Sequence, residues 1–146
     1  MIRAYTPADE GELIALLQLN IPRYFHPDEE SDFVAYLLQF REDYFVMEEN
    51  RRIIGAGGIN YVAGQPEARI SWDIIHPDFQ GQGIGTQLML HRINHIKQMP
   101  TIRRITVRTS QLVYPFYEKM GFVLERTEKD FWAKGFDLYQ LKMTLD

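Results

Sequence analysis

The chain has 146 residues, a formal net charge of −4 at pH 7 and 45% apolar residues, which suits a single globular domain over residues 1–146. It contains no cysteine, which excludes a disulfide scaffold, a thiolate zinc site and a cysteine nucleophile. The acidic balance disfavours a general nucleic-acid binder. No run approaches the ~18 apolar residues of a membrane span and the N-terminus lacks a signal-peptide core, so we expect a cytoplasmic protein.

The N-terminal part of the chain predicts one short strand followed by two helices. The strand covers residues 2–5, and Thr6-Pro7-Ala8-Asp9 is typical of a capped helix start. A second helix is expected from Asp28 to about Arg41, because its first turn is acidic and its apolar residues recur at helical spacing. Three of these apolar residues are expected to share one face: Phe33, Leu37 and Phe40.

The middle of the chain predicts three strands. Two of them, over 43–48 and 52–61, flank a turn at 49–51. Glycines in the second strand indicate a bulge or a close approach of another backbone: Gly55, Gly57 and Gly58. The third strand covers 67–75 and is stopped by His76-Pro77.

The C-terminal part predicts a long helix, a strand, a short helix and a final pair of strands. These elements cover 84–97, 102–109 and 113–120, followed by two strands between 122 and 145 around Ala133-Lys134-Gly135. The whole order is β-α-α-β-β-β-α-β-α-β-β, with no visible repeat or linker.

The most informative segment is Gln80-Gly81-Gln82-Gly83-Ile84-Gly85, which lies between a predicted strand and a predicted helix. Bare backbone N–H groups at a helix N-terminus form a binding site for a phosphate or pyrophosphate. The dinucleotide fingerprint does not match, because it needs a glycine at the position of Thr86. The nucleotide-triphosphate loop does not match either, because no Gly-Lys-Ser/Thr follows.

Two motifs together, Gln80-x-x-Gly83-x-Gly85 and Phe116-Tyr117-Glu118-Lys119-Met120-Gly121-Phe122, resemble those of the GNAT superfamily of N-acetyltransferases. The resemblance implies an α/β fold with a mixed, mostly antiparallel sheet and helices on both faces. It also implies that the fourth and fifth strands splay apart to admit the acyl arm of acetyl-CoA. The acyl donor is therefore expected to be acetyl-CoA, and no metal is expected.

The resemblance implies roles for particular residues around the donor. The pyrophosphate would lie on the backbone of the loop and the first helical turn, formed by Gln80, Gly81, Gln82, Gly83, Ile84, Gly85 and Thr86. The backbone of Ile74 and Ile75 would pair with the pantetheine amides. Ser110 stands where the family usually has asparagine. It is expected either to contact the donor or to cap the short helix.

The resemblance also implies a proton donor, Tyr117, near the thioester sulfur. A base is harder to identify, because freeing the lone pair of an alkylammonium at pH 7 requires about 4–5 kcal/mol. Asp73 lies at the appropriate end of the fourth strand, with Glu67 as a weaker alternative. Strand alternation predicts that residues 67, 69, 71 and 73 share one side, where Arg69 offers a simple ion pair as the competing interpretation.

The family resemblance places acceptor selection on the connection of the first two helices and on the last hairpin. Here these carry Tyr24, Phe25 and His26, the acidic stretch Asp28 to Asp32, and Phe131-Trp132. His91 and His95 have helical spacing but no third ligand, so solvated positions are expected.

We therefore expect an acetyl-CoA-dependent N-acetyltransferase acting by direct transfer to a primary amine, carried by a small molecule or a peptide. The alternatives are a CoA-binding module without catalysis and an interaction domain whose loop binds nothing. The acceptor, the length of the acyl group and the choice between monomer and homodimer stay open.

Overall fold

A mixed seven-stranded sheet forms the centre of the fold in the computed structural model, which describes residues 1–146. The strands are β1 (Ile2–Ala4), β2 (Asp43–Glu49), β3 (Arg52–Tyr61), β4 (Glu67–Ile75), β5 (Arg104–Thr109), β6 (Val123–Ala133) and β7 (Phe136–Thr144). The α-helices are α1 (Glu10–Gln18), α2 (Glu29–Ala35), α3 (Ile84–Lys97) and α4 (Tyr114–Lys119). The strand order is β1-β2-β3-β4-β5-β7-β6, and only β4 and β5 pair in parallel. This is the fold class predicted from the sequence.

Helices α1 and α2 cover one face of the sheet, which we call the front face, over β2, β3 and the end of β4. The helix start at Thr6 is as expected, because the Thr6 N–H donates to Asp9 Oδ2 at 2.9 Å. Both helices are held by apolar packing. The buried front-face cluster includes Leu13, Leu16, Leu17, Phe33, Leu37, Tyr44, Val46 and Ile74.

The end of the second helix differs from the prediction. After Ala35 the chain continues as a π turn over Tyr36–Phe40, closed by a 2.8 Å hydrogen bond from the Arg41 N–H to the Tyr36 carbonyl. Phe33 and Leu37 are buried at 0% and 1% exposure, but Phe40 is 61% exposed. The prediction that Phe40 shares their face was wrong, because the wider π turn rotates each residue less far around the axis than an α turn does.

Helices α3 and α4 cover the opposite face, which we call the back face. The buried cluster there includes Ile59, Ile70, Met89, Ile93, Ile96, Ile105, Val107, Tyr117 and Phe122. On the front face, by contrast, no helix covers β5, β7 and β6. Residues 123–132 of β6 are all exposed.

A β-bulge in β4 changes which side chains reach which face. Ala56 pairs with Ile74 but Gly58 pairs with Ser71, so Trp72 and Asp73 together stand opposite Gly57. Trp72 has a φ of 48°, a conformation that a bulky residue rarely adopts. The expectation that Asp73 shares a side with residues 67, 69 and 71 was wrong, because the extra residue moves it to the back face.

The parallel pairing of β4 with β5 is short. It runs from Glu67 opposite Arg104 to Ile70 opposite Val107 and then ends. Beyond that point Arg108 and Thr109 still pair with β7, while Ile74 and Ile75 still pair with β3. The two strands therefore diverge toward their C-terminal ends, which is the predicted splay.

Candidate active site

The glycine loop presents a row of unpaired backbone amides. Gly81 and Gly83 have φ angles of 76° and 81°, which favour glycine, and α3 begins directly after Gly83. The first helical hydrogen bond here is 3.0 Å long, from Gln87 N–H to Gly83 O. No backbone carbonyl accepts from the six amides of residues 81–86. Unpaired amides at a helix N-terminus are suited to binding an anion.

Two side-chain contacts attach this loop to its surroundings. The Tyr24 hydroxyl, from the connection between α1 and α2, donates to Gln80 Oε1 at 2.9 Å. A Cβ at Gly85 would lie 3.2 Å from Phe116 Cζ, so the missing side chain lets α4 pack against the first turn of α3. The loop is therefore linked to both helical layers.

One cavity of about 830 Å³ runs from the glycine loop through the strand gap to the front face. At the loop end it is lined by Gln80, Gly81, Gly83, Ile84, Gly85 and Thr86, and in the gap by Asp73, Ile75, Ser110 and Tyr117. At the front-face end the wall is largely aromatic. The cavity thus joins most of the site residues predicted from the sequence. Gln82 and Ile74 do not line it.

At the centre of the gap, Asp73 links Tyr117 to a buried arginine. The Tyr117 hydroxyl donates to Asp73 Oδ2 at 2.6 Å, and Arg92 Nη2 lies 2.5 Å from Asp73 Oδ1. Arg92 is 1% exposed and also donates to the carbonyl of Gly58 at 3.1 Å. Burial, and then the charge of Asp73, raises the pKa of Tyr117 well above 10, so the phenol is protonated at neutral pH.

The glycines of β3 make room for this group. A Cβ at Gly57 would overlap Asp73 Oδ1 and lie 2.6 Å from Arg92 Nη1. A Cβ at Gly55 would lie 2.9 Å from Ile84 Cγ2. At Gly55 and Gly57 the close approach indicated in the sequence is therefore that of side chains from α3, including its buried arginine, whereas a Cβ at Gly58 would meet Tyr44.

The sequence analysis did not identify Arg92 as a residue of the candidate site. The signal was present, because Arg92 lies on the helical stripe of Leu88, Met89, Ile93 and Ile96, all of which are buried. A charge on the apolar stripe of a helix needs a buried partner. That partner, Asp73, comes from a distant strand.

The strand-end residues have the placement needed for backbone contacts. Ile74 directs its side chain into the front-face core, and Ile75 packs with Ile84 and Leu88 on the back face. Each is paired with β3 along one edge, while the other edge faces the gap. Ser110 is buried, and its Oγ accepts from the Leu112 N–H at 3.2 Å, so it caps the turn before α4 and also lines the cavity.

Glu67, the weaker base candidate, lies outside the cavity at the closed end of the gap. Its carboxylate accepts from Thr106 Oγ1 and from Arg104 Nε, both at 2.8 Å, and pairs with Arg69 at 3.2 Å. Burial opposes the charge, but the hydrogen bonds from Thr106 and Arg104 outweigh it and lower the pKa of Glu67. Its contacts tie β4 to β5.

The front-face end of the cavity is formed by the segments expected to select the acceptor. Phe25 stacks on Trp72 with ring centroids 6.0 Å apart, and His26 meets the edge of Phe136 at 5.7 Å. Within the acidic stretch Asp28 to Asp32, only Glu29 lines the cavity. The His26 N–H donates to its carboxylate at 2.8 Å, yet burial raises the pKa of Glu29. The sequence indicated the stretch but could not single out this residue.

The other histidines have ordinary surroundings. His91 packs against Phe45 at 4.8 Å, and His95 lies 3.5 Å from Asp43 Oδ2. No group of three or more His, Asp or Glu side chains converges to hold a metal. None of the helices combines the length and apolar character needed to cross a bilayer.

Known proteins that are similar to this chain in sequence are described as N-acetyltransferases. One similar protein is an uncharacterized N-acetyltransferase, ycf52, of Gracilaria tenuistipitata var. liui, 42% identical over 55 residues. That match covers 37% of this chain and 30% of the relative, so this chain matches under a third of that relative's length.

Solved structures show the same fold over nearly the whole chain. The ribosomal-protein-S18-alanine N-acetyltransferase from Escherichia coli superposes with a TM-score of 0.83 at 16% identity, covering 100% of this chain and 94% of its own. An aminoglycoside 6′-N-acetyltransferase complexed with coenzyme A superposes with a TM-score of 0.78 at 15% identity, covering 99% and 96%. Residues 23–145 match the family described as an acetyltransferase (GNAT) domain. This chain therefore belongs to the GNAT family of acetyltransferases.

Proposed function

We propose that this protein transfers an acetyl group from acetyl-CoA to a primary amine by direct attack in a ternary complex. The observation that carries the proposal is the continuity of one cavity. It begins at six unpaired amides, passes between two diverging strands and ends among aromatic side chains. Such a cavity suits a phosphorylated donor at one end and an acceptor at the other.

The donor would be held mainly by main-chain groups. The amides of residues 81–86, from Gly81 to Thr86, would surround the pyrophosphate, with Gln80 bracing the loop through Tyr24. The free edge of Ile74 and Ile75 would pair with the pantetheine amides as an added strand. The same backbone donors would stabilise the oxyanion that forms on the thioester carbonyl. Ser110, which follows β5, would contact the pantetheine arm of the donor from the opposite side of the gap.

In the reaction, the amine nitrogen forms a bond to the carbonyl carbon and the carbon–sulfur bond breaks. The amine gives up one proton and the departing thiolate gains one. Asp73 would accept the amine proton, while Tyr117 would pass its phenolic proton to sulfur. The 2.6 Å hydrogen bond between them would then return the proton from Asp73 to Tyr117, so the pair ends as it began.

The order of these transfers matters, because Tyr117 is a weak acid while Asp73 is charged. A free tyrosine already lies about 1.5 pKa units above a thiol, or about 2 kcal/mol, and the negative Asp73 widens this gap. Protonation of Asp73 by the amine removes that negative charge. Tyr117 therefore becomes a stronger acid at the moment when sulfur needs a proton, and Arg92 keeps both groups in place.

Glu29 would attract the ammonium group of the acceptor. It is the carboxylate on the front-face wall of the cavity, beside the Phe25–Trp72 stack. A half-buried carboxylate next to aromatic faces is a favourable site for an organic cation.

The test is release of free CoA from acetyl-CoA in the presence of a panel of primary amines. Tyr117→Phe should lower kcat by about 10²-fold with little change in the KM for acetyl-CoA, since a positioned acid typically contributes 10²–10⁴-fold. Tyr114→Phe is the matched control. It lies on the same helix but outside the cavity, where its ring packs on Tyr139 at 4.5 Å.

An unchanged rate in Tyr117→Phe would refute the acid role. CoA binding without turnover on any amine would instead indicate a non-catalytic CoA-binding module.

A further inference from the structure

Two arginines stand close together on the front face where the pairing of β4 with β5 ends. Arg69 pairs in register with Thr106, and Arg108 lies two residues further along β5, on the same face by strand alternation. Both line the front-face end of the cavity. No helix covers the sheet there, and both arginine side chains are half-buried rather than enclosed in a packed layer.

The positive charge of these arginines is not balanced locally. Glu67 is the carboxylate within 4 Å of Arg69, and Glu67 is shared with Arg104 at 2.8 Å. Arg108 forms no ion pair. Arg126 and Glu128 on β6 add one charge of each sign further away. Arg69 and Arg104 therefore share one contacting carboxylate and Arg108 contacts none, which leaves a net positive charge beside the cavity.

Arg108 also lacks hydrogen-bond partners. Its Nε is buried without an acceptor, and its guanidinium lies 5.0 Å from the ring centroid of Phe131. Burial and the charge of Arg69 lower its pKa. Buried polar groups in folded proteins almost always find a partner, so a guanidinium with free donors beside an open cavity is suited to binding an anion.

We infer that Arg108 and Arg69 form a subsite for an anionic group of the acceptor, a carboxylate or a phosphate. This inference rests on the proposed function and names its substrate class. The acceptor is then an amine that also carries an acidic group. Its ammonium group lies near Glu29 and Asp73, and its acid lies on the arginines.

The position of the arginines along the strands sets the expected distance between the acidic group and the amine of the acceptor. Arg108 lies one step beyond the pair formed by Ile70 and Val107, whereas the proposed point of attack lies near Ile74. Because of the bulge, these levels are only two residues apart on the regular strand β3, from Gly58 to Ala56, which is roughly 7 Å at ~3.3 Å per residue. The length of an arginine side chain covers part of this distance. The acid and the amine are therefore expected to be several bonds apart.

The subsite is separate from the donor site. The unpaired amides that would take the donor's pyrophosphate lie at the start of α3, while Arg108 and Arg69 lie at the closed end of the strand gap. Loss of Arg108 should therefore weaken acceptor binding and leave donor binding unchanged.

The experiment measures binding of matched probe pairs to the CoA complex by calorimetry. The pairs are 4-aminobutyrate with propylamine, 6-aminohexanoate with pentylamine, and phosphoethanolamine with ethylamine. At least one acid-bearing probe is expected to bind ten-fold or more tightly than its partner, and added salt should reduce the difference. Acetylation of the same probes is measured in parallel.

Arg108→Gln should remove the preference for the acid-bearing probe, with an unchanged Kd for CoA and a melting temperature that confirms folding. Arg103→Gln is the control, because Arg103 is exposed, precedes β5 and makes no side-chain hydrogen bond. If every acid-bearing probe binds no better than its partner, or none binds, the inference is overturned. CoA release with simple amines would then leave the proposed function intact. An Arg108-dependent preference without any acetyl transfer would support the subsite and refute the proposed function.

Discussion

The two halves of the sheet differ in how they are covered. Strands β1 to β4 carry α1 and α2 on the front face and α3 on the back face, so most of their side chains in both directions are enclosed. Strands β5 to β7 are covered on the back face alone, and β6 is exposed along almost its whole length. The cavity runs along the boundary between the halves. The first half therefore encloses the cavity on one side, while the second half leaves an accessible face beside it.

Truncation of side chains should give the largest difference in stability between the two halves of the sheet. Leu17→Ala removes a fully buried side chain of the first half and should lower the free energy of unfolding by about 2–5 kcal/mol. Leu124→Ala, on β6 with 39% exposure, should change it by less than about 1 kcal/mol. Urea unfolding of both variants measures the difference. Equal losses would show that the two halves contribute alike to stability.

A smaller effect on stability is expected from a substitution where the two halves of the sheet meet. Gly57→Ala places a methyl group onto Asp73 and Arg92 and should lower stability by about 1–3 kcal/mol through overpacking. It should also reduce kcat, because it displaces the carboxylate that holds Tyr117. Gly11→Ala is the control. Gly11 lies on the exposed side of α1, where an added Cβ meets nothing within 4 Å, and the substitution should raise stability by about 0.5 kcal/mol. Full activity in folded Gly57→Ala would contradict the positioning role of Asp73.

The smallest effect on stability is expected for Glu29, which lies on the wall of the cavity. Burial raises its pKa, so the folded chain binds more protons than the unfolded chain between the usual and the raised pKa. Its contribution to stability therefore falls as pH rises through that window. Glu29→Gln should lose this pH dependence and be slightly more stable at neutral pH.

The same variant should bind the acceptor less well, with a several-fold higher KM for the amine. Asp32→Asn is the control for the acceptor kinetics, because Asp32 is exposed on α2 and does not line the cavity, whereas in the melts its loss should itself reduce the rise in the pKa of Glu29. Thermal melts across pH 3–8 and acceptor kinetics measure the two effects. A less stable Glu29→Gln at neutral pH, or an unchanged acceptor KM, would show that Glu29 is a surface charge.

Local patterns in the sequence were sufficient for most of the architecture. The predicted bounds of β4 and α3, 67–75 and 84–97, match the structure, because alternation, the stop at His76-Pro77 and the glycine loop are signals within a few neighbouring residues. The fold class and the splay followed from the family motifs. The roles of individual site residues stay predictions.

The errors have two physical origins. Phe40 and Asp73 were assigned to faces by assuming constant periods, and a single inserted residue in a π turn or a bulge breaks the period. Arg92 and Arg108 were missed, and Glu29 was not singled out within its acidic stretch, because their contacts come from distant elements. Sequence spacing carries no direct information about those contacts.

The bulge at Trp72 has a consequence for the comparison of related chains. An alignment that treats β4 as an uninterrupted strand assigns every position after Trp72 to the opposite side of the sheet. A relative with the same number of residues but no bulge would direct its counterpart of Asp73 toward the front face and its counterpart of Ile74 toward the long helix. A relative that lacks one residue here keeps both orientations, because the deletion restores the alternation that the bulge interrupts. A one-residue gap at this point is therefore the alignment that preserves the faces of Asp73 and Ile74.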